Sequence, residues 1–223
     1  MAPPFKQLQP TEFVHVAHQF NWQPAKTAIH MHHTWRPNHS QYHGQSSIQA
    51  MYNYHVNTNH WSDIAQHVSL APDGTIWTGR PWNMSPASAA GFNSSRVFMF
   101  ETIGDFDHGK DPLTGAQLDT VVLVIATLMR KFSLNASALK FHNEMSTKSC
   151  PGSAVSKQDI LDKVAEAGGS SDAPAAMTAA RRAEIFQAID ANLEQADAMP
   201  QDDGELPEHD PAYEAAIVNS LPK

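Results

Sequence analysis

Phe141-His142-Asn143-Glu144-Met145-Ser146-Thr147-Lys148-Ser149-Cys150-Pro151-Gly152 contains the only cysteine of the chain. A histidine stands eight positions before it and a lysine two before. Thiolate and imidazole both suit a borderline-soft ion such as zinc. Two ligands do not make a site, so a third must come from elsewhere in the fold. Leu139 to His142 reads as a short strand running into the motif, which puts these groups at the end of a sheet.

Working outward, Ala116 to Phe132 reads as a helix apolar almost all round, hence well buried. Arg96 to Ile103 (RVFMFETI) is apolar on both faces and reads as a central strand. Asp63 to Leu70 alternates as a half-buried strand, and Pro72-Asp73-Gly74 turns it into a second arm over Thr75 to Gly79. Thr27 to Thr34 (TAIHMHHT) is a strand with Ile29 and Met31 on one face and His30 and His32 on the other. Helices are expected over Thr11 to Phe20, with Thr11 as N-cap, over Ser46 to Asn59, and over Ser156 to Glu166. This pattern predicts an α/β fold, a central mixed β-sheet flanked by helices, over residues 1–166.

Beyond it the composition changes. Gly168 to Pro174 reads as a linker (167–174), and 175–223 as an acidic, helical to partly disordered tail. One amphipathic helix is expected within Ala175 to Met199, and disorder over Pro200 to Asp210. Residues 1–166 carry 12 Lys/Arg and 12 Asp/Glu, whereas 167–223 carry 3 and 11, so the whole net charge of −8 sits in the tail. No basic stripe supports nucleic-acid binding. No apolar run approaches the ~20 residues of a membrane span. The opening MAPPFKQLQP lacks the charged start and apolar stretch of a secretory leader. One cysteine excludes an internal disulfide and leaves Cys150 for other chemistry.

The third ligand candidate is His32, where the TAIHMHHT strand meets a polar loop. Three histidines in four positions, His30, His32 and His33, leave the choice among them open on spacing alone.

In sequence order, His32-His33-Thr34, Trp61-Ser62-Asp63-Ile64, Pro72-Asp73-Gly74-Thr75-Ile76, Gly79-Arg80-Pro81, Gly91-Phe92-Asn93, Phe100-Glu101-Thr102-Ile103-Gly104 and His142 to Gly152 resemble one family. It is that of the zinc-dependent N-acetylmuramoyl-L-alanine amidases, shared by phage lysins, bacterial amidases and animal peptidoglycan recognition proteins. The resemblance spans roughly residues 28–152.

It implies one Zn2+ on His32, His142 and Cys150, with a fourth position open to water. It gives Lys148 the stabilisation of an oxyanion and Glu101 the role of base toward the attacking water. Burial in so apolar a strand would raise the Glu101 pKa toward neutrality, which suits that role. The sequence departs from the phage and animal branch where a tyrosine is expected: Gln66 follows Asp63-Ile64-Ala65. An amide is neither acid nor base, so the proton work falls to Glu101.

The implied substrate is peptidoglycan or a muropeptide, cut between N-acetylmuramic acid and L-alanine. Trp35, His67, Trp82 and Asn93 are candidate substrate contacts, with His39 and Tyr42 as further loop candidates. A cell-wall substrate implies action in the periplasm or outside the cell, or delivery by lysis or a dedicated secretion route. Two alternatives accompany this reading: a non-catalytic peptidoglycan recognition module, and a hydrolase of another stem-peptide bond.

Overall fold

The computed structural model describes residues 5–167, 177–190, 204 and 209–221. Six strands form one mixed sheet: β1 (Gln7–Leu8), β2 (Ala28–His33), β3 (Val68–Leu70), β4 (Ile76–Thr78), β5 (Val97–Thr102) and β6 (Leu139–Phe141). Their order is β1-β4-β3-β5-β2-β6. Strands β3, β5, β2 and β6 are parallel, while β4 pairs antiparallel with β3 and β1. The helices are α1 (Pro10–Gln19), α2 (Gln45–Asn57), α3 (Gly115–Phe132), α4 (Lys157–Ala167), α5 (Ala179–Asp190) and α6 (Pro211–Ser220). The expected sheet, its buried central strand and its flanking helices are all present.

Alternation along β2 and β5 divides the two faces. Ile29, Met31, Phe98 and Phe100 join Phe13, Val16, Val121, Ile125 and Leu128 of α1 and α3 in the main core. His30, His32, Met99 and Glu101 therefore face the opposite side, toward α2. That second side has its own apolar cluster around Ile48, Met51, Tyr54 and Trp35.

Three boundaries differ from expectation. The α1 N-cap is Gln9, not Thr11: Glu12 Oε2 accepts the Gln9 N–H at 2.7 Å, and Pro10, whose missing N–H costs nothing there, takes the first turn. Strand β3 starts at Val68 rather than Asp63. The buried Arg80 guanidinium claims the carbonyls of Ile64 (2.7 Å) and Asp63 (3.2 Å), so those residues form a strap over its side chain instead of a ladder. The expected 175–199 helix is Ala179–Asp190 among the described residues; 168–176, 191–203 and 205–208 lie outside them, and with them most of the linker and the Pro200–Asp210 stretch.

The described residues of the tail include two helices, and neither is solvated on all sides. Ile185 and Ile189 of α5 are fully buried in the main core, with Arg181 held to Glu12 at 2.9 Å and Glu184 to Lys6 at 2.6 Å. Tyr213 and Ile217 of α6, and Leu221 at its C-cap, are buried against the α2 cluster. No described helix is long and apolar enough to cross a membrane.

Candidate metal centre

The C-terminal ends of parallel strands present side chains into the space outside a sheet. His32, one residue before the end of β2, and His142, one residue after β6, meet there, with ring centroids 4.4 Å apart. Cys150 arrives from the turn after the motif's short 3-10 helix. The ligand atoms of His32, His142 and Cys150 all lie within 4.8 Å of one another, and all three residues are buried. His32 Nδ1 stands 3.5 Å from Cys150 Sγ. Bonds of ~2.0–2.3 Å from a tetrahedral zinc would set its ligand atoms about 3.5 Å apart. The donor set, two imidazoles and a sulfur that would bind as thiolate, also suits zinc. The residues fit the ion.

Gly152 keeps the cysteine turn in place. Its φ is +116°, and a Cβ there would come within 2.5 Å of the Phe106 backbone, so only glycine lets the turn press on that loop. Asp107 ties down the same turn, accepting from Ser149 Oγ at 3.1 Å and from the Ser153 N–H at 2.8 Å.

Burial pushes the His32 pKa well below the ordinary imidazole value, and the neighbouring His142, His30, His33 and Lys148 add to it. His32 is thus neutral, with a lone pair to offer a metal. The other two histidines of the triplet turn elsewhere. His30 Nδ1 bonds Ser88 Oγ at 2.8 Å, and His33 Nδ1 accepts the Phe106 N–H at 3.2 Å.

Glu101 is 1% exposed and stands directly opposite His32 in the β2–β5 register. Its Oε2 is buried with no hydrogen-bond partner among the described residues. Burial raises its pKa to about 8. Ser69 flanks Glu101 from β3, and Gln66 donates its amide to Ser69 Oγ at 2.8 Å. Gln66 therefore braces the row Ser69–Glu101–His32 from beside it. Lys148 is half-buried, and its charge reaches His32.

The expected substrate contacts fare less well. Trp82 is wholly buried on the far side of the sheet, among Phe13, Phe20, Trp22 and Phe98 at 5.1–5.6 Å, and has no path to a ligand. His67 is also buried: Nε2 bonds the Met84 carbonyl at 3.1 Å, Nδ1 accepts the Met99 N–H at 3.0 Å, and the ring stacks on Phe98. Both nitrogens serve the backbone. Asn93 spends its oxygen on the Ser88 and Ala89 N–H groups, at 2.8 and 3.0 Å, and its amide on the Gly204 carbonyl at 3.1 Å. Trp35 lies at the site but is 7% exposed, packed by His209 at 4.8 Å and by Arg36. Of the loop candidates, His39 bonds Gln117 at 2.9 Å and Tyr42 accepts the Trp77 N–H at 2.7 Å. Sequence reasoning missed Ser88, which lies between His30 and His32; a serine in a loop carries no distinguishing signal.

The family model described as N-acetylmuramoyl-L-alanine amidase matches residues 22–153. Among curated proteins, the chain is 22% identical over 111 residues to peptidoglycan-recognition protein SC2 of Drosophila melanogaster, covering 49% of this chain and 59% of that protein. It is 29% identical over 93 residues to the endolysin of Escherichia phage T7, covering 41% and 60%. The match thus spans about three-fifths of each curated relative's length. Among solved structures, the N-acetylmuramoyl-L-alanine amidase LysC from Clostridium intestinale superposes with a TM-score of 0.53 at 28% identity, covering 63% of this chain and 85% of that one. Drosophila PGRP-LB, at 23% identity and a TM-score of 0.52, shares the fold. The matched residues contain the His32–His142–Cys150 centre, Glu101 and Lys148, and the chain belongs to the N-acetylmuramoyl-L-alanine amidase family.

Proposed function

We propose that this chain is a zinc-dependent hydrolase of peptidoglycan, cutting the amide between N-acetylmuramic acid and L-alanine. The observation that supports it most is the convergence of three ligand atoms within 4.8 Å on the sheet end next to a buried carboxylate. His32, His142 and Cys150 would hold the ion. Bound there, zinc would acidify a water and polarise the scissile carbonyl.

The chain's own groups supply the rest. Glu101, with a pKa raised to about 8, is a base matched to near-neutral pH. It takes a proton from the attacking water as the new C–O bond forms at the lactyl carbonyl. The Lys148 ammonium stabilises the developing oxyanion, a contribution on the order of 3 kcal/mol in a water-poor cleft. As the C–N bond breaks, Glu101 returns the proton to the L-alanine nitrogen, which leaves as a free amine. Gln66, without acid or base character, stays a brace.

Mass spectrometry of digested muropeptides tests the bond. Release of the intact stem peptide with a free L-alanine amino group supports the amidase. Products shortened within the stem indicate a different bond, and retention of the uncut ligand by the zinc-loaded chain indicates a recognition module.

A further inference from the structure

Ser88 is fully buried in the segment leading to β5. Its hydroxyl stands between two imidazoles, 2.8 Å from His30 Nδ1 and 2.7 Å from His32 Nε2. A neutral imidazole carries one N–H and one lone pair. For His32 to ligate through Nδ1, which faces Cys150, its proton must sit on Nε2. Ser88 Oγ is placed to accept that proton, and its own O–H then points to His30 Nδ1. The reverse order would leave a hydrogen on His32 Nδ1, where the ion belongs. We propose that Ser88 is a positioning residue that selects the metal-ligating tautomer of His32, with His30 as the terminal acceptor and Asn93 anchoring Ser88 through its backbone. This rests on the zinc reading and assigns His30 and Asn93 roles away from metal and substrate.

The test is zinc affinity of the full chain by chelator competition, with Co2+ absorption spectra as a second readout. Ser88→Ala is expected to bind zinc roughly 10- to 100-fold more weakly at unchanged circular dichroism. Ser88→Thr, which keeps the hydroxyl, restores most of the affinity. His30→Phe, which removes only the terminal acceptor, is expected to weaken binding by a smaller factor and serves if Ser88→Ala does not fold. Wild-type affinity in both Ser88→Ala and His30→Phe overturns the proposal. Failure of the wild type to bind zinc instead overturns the metal reading itself.

A separate set of contacts concerns α6. His209, just ahead of it, stacks on Trp35 at 4.8 Å, with Nε2 3.6 Å from Asp107 Oδ2. Glu214 pairs with Arg36 at 2.8 Å, and Tyr213 donates to the Arg36 carbonyl at 2.9 Å. Trp35 and Asp107 belong to the loops leaving β2 and β5, the strands that carry His32 and Glu101. Tyr213 is close enough to feel the Glu101 charge. The three ligand residues are at most 1% exposed. We infer that α6 is a strap across the mouth of the site, which must undock before a glycan-linked peptide can enter.

Alkylation of Cys150, the only thiol, reads this in the metal-stripped full chain. Tyr213→Ala with Ile217→Ala is expected to speed labelling by about tenfold or more, while Ile185→Ala, a comparable cavity in α5, leaves it near wild type. Equal rates in the α6 variant and wild type overturn the strap, as does equal acceleration by the α5 variant. Neither readout depends on amidase turnover.

Discussion

His32 and Glu101 are direct neighbours in the β2–β5 register, with both side chains on the face turned away from the Ile29–Met31–Phe98–Phe100 core. Adjacent parallel strands lie about 4.8 Å apart. The proposed ligand and the proposed base are thus held side by side on two hydrogen-bonded strands of the sheet, and no loop needs to close to bring them together. Removing the base should leave the ligands in place. Glu101→Gln is expected to keep one zinc per chain while turnover falls roughly 10²- to 10⁴-fold; loss of zinc in this variant would show that Glu101 is structural.

The same carboxyl sets a pH dependence. Its folded pKa, about 8, lies above the ordinary 4.5. Between those values the folded chain keeps a proton that the unfolded chain releases, so the stability of the metal-free protein falls as pH rises from about 5 to 8. Denaturant titrations across that window should show the decline in wild type and a flatter profile in Glu101→Gln.

Lys148 acts, in this account, only when charge develops on the carbonyl oxygen. Lys148→Ala should lower kcat by roughly 10²-fold with little change in KM or zinc content. A rise in KM alone would assign it to ground-state binding.

Tyr213 carries much of the α6 docking: 2% exposed, edge-on to Tyr54 at 4.7 Å, and bonded to Arg36. Tyr213→Ala should cost about 3 kcal/mol and Tyr213→Phe about 1 kcal/mol in chemical denaturation. Equal stabilities for wild type and Tyr213→Ala would mean that α6 contributes nothing to the folded state.

The legible parts of this protein were those where residue type alone restricts the chemistry. The only cysteine, with a histidine eight before it, pointed to a pair of metal ligands, while the third ligand and the role expected of Glu101 came from the family resemblance. Alternation in TAIHMHHT placed Ile29 and Met31 in the core, but spacing left His30, His32 and His33 open, and it took the family resemblance and then the fold to separate them. Trp82, read in a loop, and His67, read on a strand, are both buried, and local composition does not tell a residue that folds inward from one that lines a cleft. The Asp63–His67 strap depends on Arg80, a long-range partner that no local pattern reveals. Asp210-Pro211 is a readable helix start, with Asp210 accepting the Ala212 N–H at 2.8 Å. The acidity and prolines around it hid the signal.

The central claim is that one ion held by His32, His142 and Cys150 is needed for amide hydrolysis. It is tested most directly by stripping the chain of metal and titrating zinc back while muropeptide cleavage is followed. Activity should be absent at the start, rise linearly, and saturate at one zinc per chain, with no recovery in Cys150→Ser. Full cleavage by the stripped chain, or undiminished recovery in Cys150→Ser, would contradict the account.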